Sequence, residues 1–239
     1  YEHVAQALAA AGYSVWADDH RGHGRTGMQP HAGVRSKLGK LGPGGLRATI
    51  EALRQFTGII REANPGIPLV LLGHSWGSLM AQIIINDHSG DYDAAVLTGT
   101  AFRTFRHMNG GDLNARHKHL GTTGVEWLSR DVAVHHAFRA DQLTFDAKII
   151  ERFGLVDALR LMGKPKRDLP HDIPVLIMVG DDDPLGGEDS AALLADAYVT
   201  RSGLSNVEAL IYKGARHEIF NETNKEEVFA DLVEWLDAH

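Results

Sequence analysis

The sequence predicts an α/β fold: a mostly parallel sheet flanked by helices and interrupted by an inserted helical cap. Three observations carry this. Apolar runs at residues 69–72, 94–98, 174–179 and 207–212 alternate with stretches of helical apolar spacing, and a β–α–β–α–β rhythm calls for parallel pairing with crossover helices. The first run passes through Gly73-His74-Ser75-Trp76-Gly77 straight into a helical stretch carrying Leu79, Ile83 and Ile84. From residue 102 to residue 170 the rhythm breaks, and a structureless loop of about 70 residues is uncommon in a compact domain. The predicted layout is therefore core (1–101), cap (102–170) and core again (171–239).

Composition narrows the class. With 239 residues, 44% hydrophobic and 23% charged, the chain has the makeup of one soluble globular domain. Its net charge is −7, and the only basic block is Lys164-Pro165-Lys166-Arg167, so no nucleic-acid footprint is present. The absence of Cys excludes disulfides, thiolate zinc sites and cysteine nucleophiles. No apolar run approaches the ~18 residues that span a bilayer, and no signal peptide is visible, so a cytoplasmic location is expected, with secretion the alternative if residues precede Tyr1.

Taken in order, Val4, Leu8 and Ala11 form a helical stripe that stops at Gly12, and residues 13–17 alternate as a short strand. Gly22 to Gly27 spells G-x-G-x-x-G. It continues into Met28-Gln29-Pro30-His31 rather than opening a helix, and no acidic residue closes a second strand ~20 residues on, so a dinucleotide site is rejected. Leu46, Ile50, Leu53, Phe56 and Ile60 mark an amphipathic helix ending before Asn64-Pro65-Gly66. The strand at 69–72, four aliphatics in a row, reads as buried on both faces. Its helix runs to about Asp87, and residues 94–98 form the next strand. Within the cap, helices are expected at 125–140 and 147–162. Its aromatics (Phe105, Trp127, Phe138, Phe145, Phe153) fit core packing better than an acyl channel. The strand at 174–179, a helix at 190–202, the strand at 207–212 and a terminal helix with Val228, Leu232, Trp235 and Leu236 complete the chain.

Gly-x-Ser-x-Gly between a strand and a helix is the context of a nucleophile elbow. The turn strains Ser75, and Gly73 and Gly77 are expected to be small because side chains there would strike the strand or helix. Ser75 then needs a base and an orienting carboxylate. Other strand ends supply Asp181 to Asp183 and His217, in the order Ser, Asp, His.

Asp19-His20-Arg21-Gly22-His23-Gly24-Arg25, Gly73-His74-Ser75-Trp76-Gly77-Ser78, Gly180-Asp181-Asp182-Asp183-Pro184 and Ala215-Arg216-His217-Glu218-Ile219-Phe220-Asn221-Glu222 resemble an α/β-hydrolase of the monoacylglycerol lipase, lysophospholipase and serine-aminopeptidase-like group. Glu126-Trp127-Leu128-Ser129-Arg130 shares the likeness. The resemblance implies Ser75 as nucleophile, Asp183 before Pro184 as the orienting carboxylate and His217 as base. Asp181 and Asp182 would then cap the next turn or face solvent. The backbone N–H of Trp76 is the oxyanion donor; Trp76 and His74 are the substrate-binding candidates, with Trp76 also suited to packing against the cap. The family's second oxyanion donor, a His-Gly dipeptide ahead of the first helix, and its earlier strands precede Tyr1, so a partial chain is expected, or a partner covering the sheet edge as in a homo-oligomer.

No cofactor is required. The His117/His119 and His135-His136 pairs lack the partners of a metal site, and Asn221 stands where a zincin would carry its second His. The implied activity is hydrolysis of carboxylic esters of monoacylglycerol, lysophospholipid or short-to-medium acyl type. An amide or peptide hydrolase on the same triad and a non-catalytic binding protein of this fold are the alternatives.

Overall fold

The computed structural model describes residues 1–31 and 33–239. Four parallel strands lie side by side in the order β1 (Val70–His74), β2 (Ala94–Thr98), β3 (Val175–Gly180), β4 (Val207–Tyr212). Registers such as Gly73↔Leu97, Leu97↔Ile177 and Ile177↔Ala209 align the C-terminal ends of the strands along one edge.

Strand alternation divides the core into two layers. Ala95 and Leu97 of β2 and Val175, Ile177 and Val179 of β3 face α4 (Trp76–His88) and α8 (Gly187–Thr200), which contribute Ile84, Ile85, Leu194 and Tyr198. The intervening Ala94, Val96, Leu176 and Met178 face α1 (Glu2–Ala10) and α9 (Lys225–Ala238) through Val4, Leu8, Val228, Leu232 and Trp235. Every residue of β2 and β3 is buried. A third cluster joins Leu46 of α3 (Gly45–Ala63) and Leu79 and Met80 of α4 to Met108 and Leu161 of the segment between β2 and β3.

Several elements depart from the sequence reading. Residues 13–17 form no strand among the described residues; Val15 and Trp16 are 40% and 47% exposed, and α1 instead closes at Gly12 with a positive φ of 97°. Alternation needs a neighbouring strand to become β structure, and none lies beside this segment. For the same reason β1, an edge strand paired only with β2, leaves Val70, Leu71 and Leu72 half-buried rather than buried on both faces.

The Gly22 to Gly27 segment does open a short helix, α2 (Gly24–Met28). The Asp19 carboxylate accepts the Arg25 N–H at 2.8 Å and fills the space above Gly24, so this helix start already holds an anion of its own chain.

Between β2 and β3, a 3-10 turn at Lys118–Leu120 comes first and α-helix begins only at Val132. Residues 125–131 are irregular because Glu126, Arg130 and Asp131 are engaged in side-chain bonds, and Asp131 caps α5 (Val132–Ala140) by accepting the Ala133 N–H at 2.9 Å. The expected helix at 147–162 is two, α6 (Ile149–Phe153) and α7 (Leu155–Arg160), broken at Gly154 with φ 84°. Arg103, 2% exposed, ties this segment to the core by donating to Gln82 Oε1 (3.0 Å) and Leu161 O (2.7 Å).

Candidate active site

Ser75 stands at the turn from β1 into α4 with φ 54° and ψ −124°, one of two described non-glycine residues with positive φ. Such a conformation costs on the order of 1–3 kcal/mol and persists only where its surroundings enforce it. Here Ser75 N–H donates to Thr98 O (3.0 Å), and its carbonyl accepts from the Ser78 hydroxyl (2.7 Å). The two flanking glycines are not equivalent, contrary to the expectation that both must be small. A Cβ on Gly73 would lie 2.8–2.9 Å from Gly77 and Ser78 backbone, whereas one on Gly77 would meet nothing nearer than His20 Nε2 at 3.9 Å.

The ends of β3 and β4 bring the other two residues to this serine. His217 Nε2 lies 2.7 Å from Ser75 Oγ, and His217 Nδ1 lies 3.0 Å from both Asp183 carboxylate oxygens. An ionised Asp183 only accepts, so Nδ1 carries the proton and Nε2 is free to accept from the serine hydroxyl. Asp183 and His217 are 2% and 1% exposed. Burial works against a charged imidazole, yet the Asp183 charge and hydrogen bond outweigh it and raise the His217 pKa. Ser78 and Leu79 N–H groups turn back to Ser75 O, while the Trp76 N–H, first in α4, has no intrahelical acceptor.

Asp181 and Asp182 have separate duties. Asp181 Oδ1 accepts the Gly214 N–H at 2.6 Å; Asp182 pairs with Arg116 (2.9 Å) and with buried His117 (2.8 Å). Among the described residues no group of three His, Cys, Asp or Glu side chains could hold a metal ion.

The Glu126 to Arg130 segment forms the wall that fixes the His217 loop, a role the sequence reading left unassigned. Trp127 O accepts from His217 N (3.4 Å), Leu128 O from Glu218 N (2.7 Å), and the Trp127 ring centroid lies 4.8 Å from that of His217. Arg216 donates to Glu126 O (2.6 Å) and Ser129 O (2.9 Å). Glu126 is held ionised, near 2, because Thr123 and Asn114 hydrogen bonds overcome the upward push of burial. Glu222, 1% exposed, accepts from Arg130 Nε (2.8 Å) and from the Arg130, Arg216 and Thr223 N–H groups. Glu222→Ala should therefore cost about 3–5 kcal/mol, since it strands these donors; urea unfolding would measure it, and a loss below about 1 kcal/mol would refute the clamp.

Ser75 and His217 line a cavity of about 650 Å³. Leu113, Val125, Trp127, Leu128, Phe138 and Phe145 supply much of its apolar lining. The aromatics thus split: Trp127, Phe138 and Phe145 face the cavity, Phe153 packs on Trp76 with centroids 4.6 Å apart, and Phe105 is 78% exposed. Neither His74 nor Trp76 lines the cavity as the substrate-binding expectation required. The Trp76 ring is wedged between His23 (4.7 Å) and Phe153, and the His74 ring lies 4.9 Å from that of His217 with Nδ1 3.0 Å from Thr98 Oγ1.

A parallel sheet with helices on both faces, a strained serine between strand and helix, and His and Asp delivered by later strand ends define an α/β-hydrolase. Residues 1–224 match the model of the family described as serine aminopeptidase, S33 (Hydrolase_4), and the chain belongs to that family. It is 32% identical over 250 residues to a monoacylglycerol lipase of Mycolicibacterium smegmatis, covering 100% of this chain and 83% of the relative. Among solved structures it resembles a carboxyl esterase from Bacillus coagulans (TM-score 0.75, 22% identity, 100% of this chain and 84% of that one). A monoacylglycerol lipase from Paleococcus ferrophilus is also similar (TM-score 0.71, 22% identity, 100% and 89%). No described helix is long and apolar enough to cross a membrane.

Proposed function

We propose that Ser75, His217 and Asp183 are a catalytic triad that hydrolyses carboxylic esters through an acyl-enzyme. By its family and relatives the chain is an ester hydrolase of the monoacylglycerol lipase and esterase kind. The observation that carries the triad is the continuous contact Ser75 Oγ–His217 Nε2 at 2.7 Å and His217 Nδ1–Asp183 at 3.0 Å at the base of the cavity. His217 takes the serine proton as Ser75 attacks the acyl carbon, and the Trp76 N–H, at the positive end of α4, stabilises the oxyanion. His217 then protonates the leaving alcohol, and water deacylates the serine. Residues 102–170 act as a cap whose inner side supplies most of the acyl-binding wall.

The cavity lining carries four carboxylates (Asp112, Asp146, Glu151, Glu218) against two cations (Arg139, Lys148), an excess that favours an uncharged head such as glycerol over an anionic one. With matched acyl chains, a monoacylglycerol is expected to react faster than an anionic lysophospholipid or an anilide. A preference for the anilide would point to amide hydrolysis instead. Fluorophosphonate labelling with peptide mapping tests the triad: modification at Ser75, lost in His217→Ala, is the expected result, and a folded protein that does not label would indicate a binding protein. Because the Asp183 charge raises the His217 pKa, the acid limb of kcat/KM should lie above the ordinary imidazole value, with activity rising as His217 loses its proton. A limb below that value would contradict the assignment.

A further inference from the structure

We infer that Glu218 is a positioning residue for the base: a second carboxylate that, beside Asp183, stabilises the imidazolium form of His217. The inference rests on the triad reading above. Glu218 is 15% exposed at its side chain and lines the same cavity as Ser75 and His217. Its main chain is pinned by the Glu218 N–H bond to Leu128 O at 2.7 Å.

Three side chains aim that carboxylate. Oε2 accepts from Asn221 Nδ2 at 3.0 Å and from the hydroxyl of Tyr1, the residue ahead of α1. Oε1 lies 3.5 Å from His74 Nε2, and the His74 ring stands between Tyr1 (5.4 Å) and His217 (4.9 Å). A Cβ on Gly99 would fall 2.7 Å from His74 Cε1 and 3.1 Å from His217 Cε1, so the end of β2 leaves room for the two imidazoles, tilted at 51°, to lie side by side. Burial alone would raise the Glu218 carboxyl, but the neighbouring His74 and His217 imidazoles and the Tyr1 hydroxyl bring it down to about 2.

The charged and titratable groups around His217 are few. Asp183 faces it from the end of β3, His74 faces it from β1 with Glu218, the next residue in its own loop, set behind that ring, and Trp127 on the other side is uncharged. Arg216 is turned toward the Glu126 and Ser129 carbonyls. Asp112, Arg139, Asp146, Lys148 and Glu151 belong to the wider cavity. Two carboxylates therefore bear on one imidazole. The second acts by charge alone, with no hydrogen bond to the ring.

The pH dependence of fluorophosphonate inactivation tests this without any choice of substrate. Relative to wild type, Glu218→Gln is expected to label at Ser75 with its acid midpoint lowered by about one pH unit and its plateau rate reduced about threefold. Glu218→Asp, which retains the charge, should return the midpoint close to wild type. Glu218→Met, neutral and of similar length, reads the same quantity if the Gln variant does not fold. A merely structural Glu218 would lower thermal stability and slow inactivation equally at every pH; a midpoint unmoved in the neutral variants overturns the inference. A wild-type protein that fails to label at Ser75, or labels independently of His217, overturns the triad reading and this inference with it.

Discussion

Asp183→Asn is expected to lower kcat about 10⁴-fold while leaving the fold intact. The reason lies in the two bonds that fix the carboxylate. Asp183 Oδ1 accepts the Leu185 N–H at 2.8 Å, and both oxygens face His217 Nδ1 at 3.0 Å. In the Asn variant the amide oxygen keeps the Leu185 bond, which turns the NH₂ group toward His217. Nδ1 must then accept, the imidazole adopts the tautomer protonated at Nε2, and the atom 2.7 Å from Ser75 Oγ can no longer take its proton. Steady-state hydrolysis of a p-nitrophenyl ester, with far-UV circular dichroism as the folding control, measures the effect. A variant within about tenfold of wild type would remove Asp183 from the mechanism.

The second large effect separates two glycines that the motif treats alike. Gly73→Ala places a methyl group 2.8–2.9 Å from the Gly77 carbonyl and Ser78 Cα, backbone atoms with no rotamer to adopt. The elbow must open, and a shift near 1 Å at Ser75 costs about 10²-fold in rate, with about 1–3 kcal/mol of stability lost to overpacking. Gly77→Ala meets only His20 Nε2 at 3.9 Å and replaces a poor helix former inside α4, so activity close to wild type and stability up to about 1 kcal/mol higher are expected. Parallel kinetics and thermal melts on the two variants decide the point; equal damage in both would show that the elbow is constrained in some way other than this contact.

Much of the candidate site was legible in the chain itself. Ser75, the Asp181 to Asp183 cluster and His217 follow successive apolar strand runs, and strand ends in a parallel sheet converge on one edge, so order and spacing pointed to them, while the choice of Asp183 within the cluster came from the family resemblance. Residues 94–98 coincide with β2 because a strand buried between neighbours needs a compact apolar run, and residues 207–212 coincide with β4, an edge strand whose exposed positions admit Glu208. The Glu126 to Arg130 segment was recognisable as a likeness but not as a wall, since its bonds to Arg216, His217 and Glu218 cross about 90 residues of sequence. The direction of the His74 side chain lies beyond the sequence for a similar reason: adjacency to Ser75 says nothing about which way a ring turns at the end of a strand.

Local chemistry, then, was determined by the sequence alone. Gly-x-Ser-x-Gly set between an apolar strand run and a helical run marks an elbow, and His217 follows the last strand run in the order such a site needs. Tertiary structure decided whatever depends on a neighbour. Residues 13–17 alternate like a strand yet remain unpaired, and β1 is half-exposed despite four consecutive aliphatics, because sheet formation and burial are properties of pairs. The Glu218 carboxylate is aimed by Tyr1, 217 residues away, and by His74. Periodicity reports what each segment can form by itself, whereas long-range contacts set burial, charge and direction at the site.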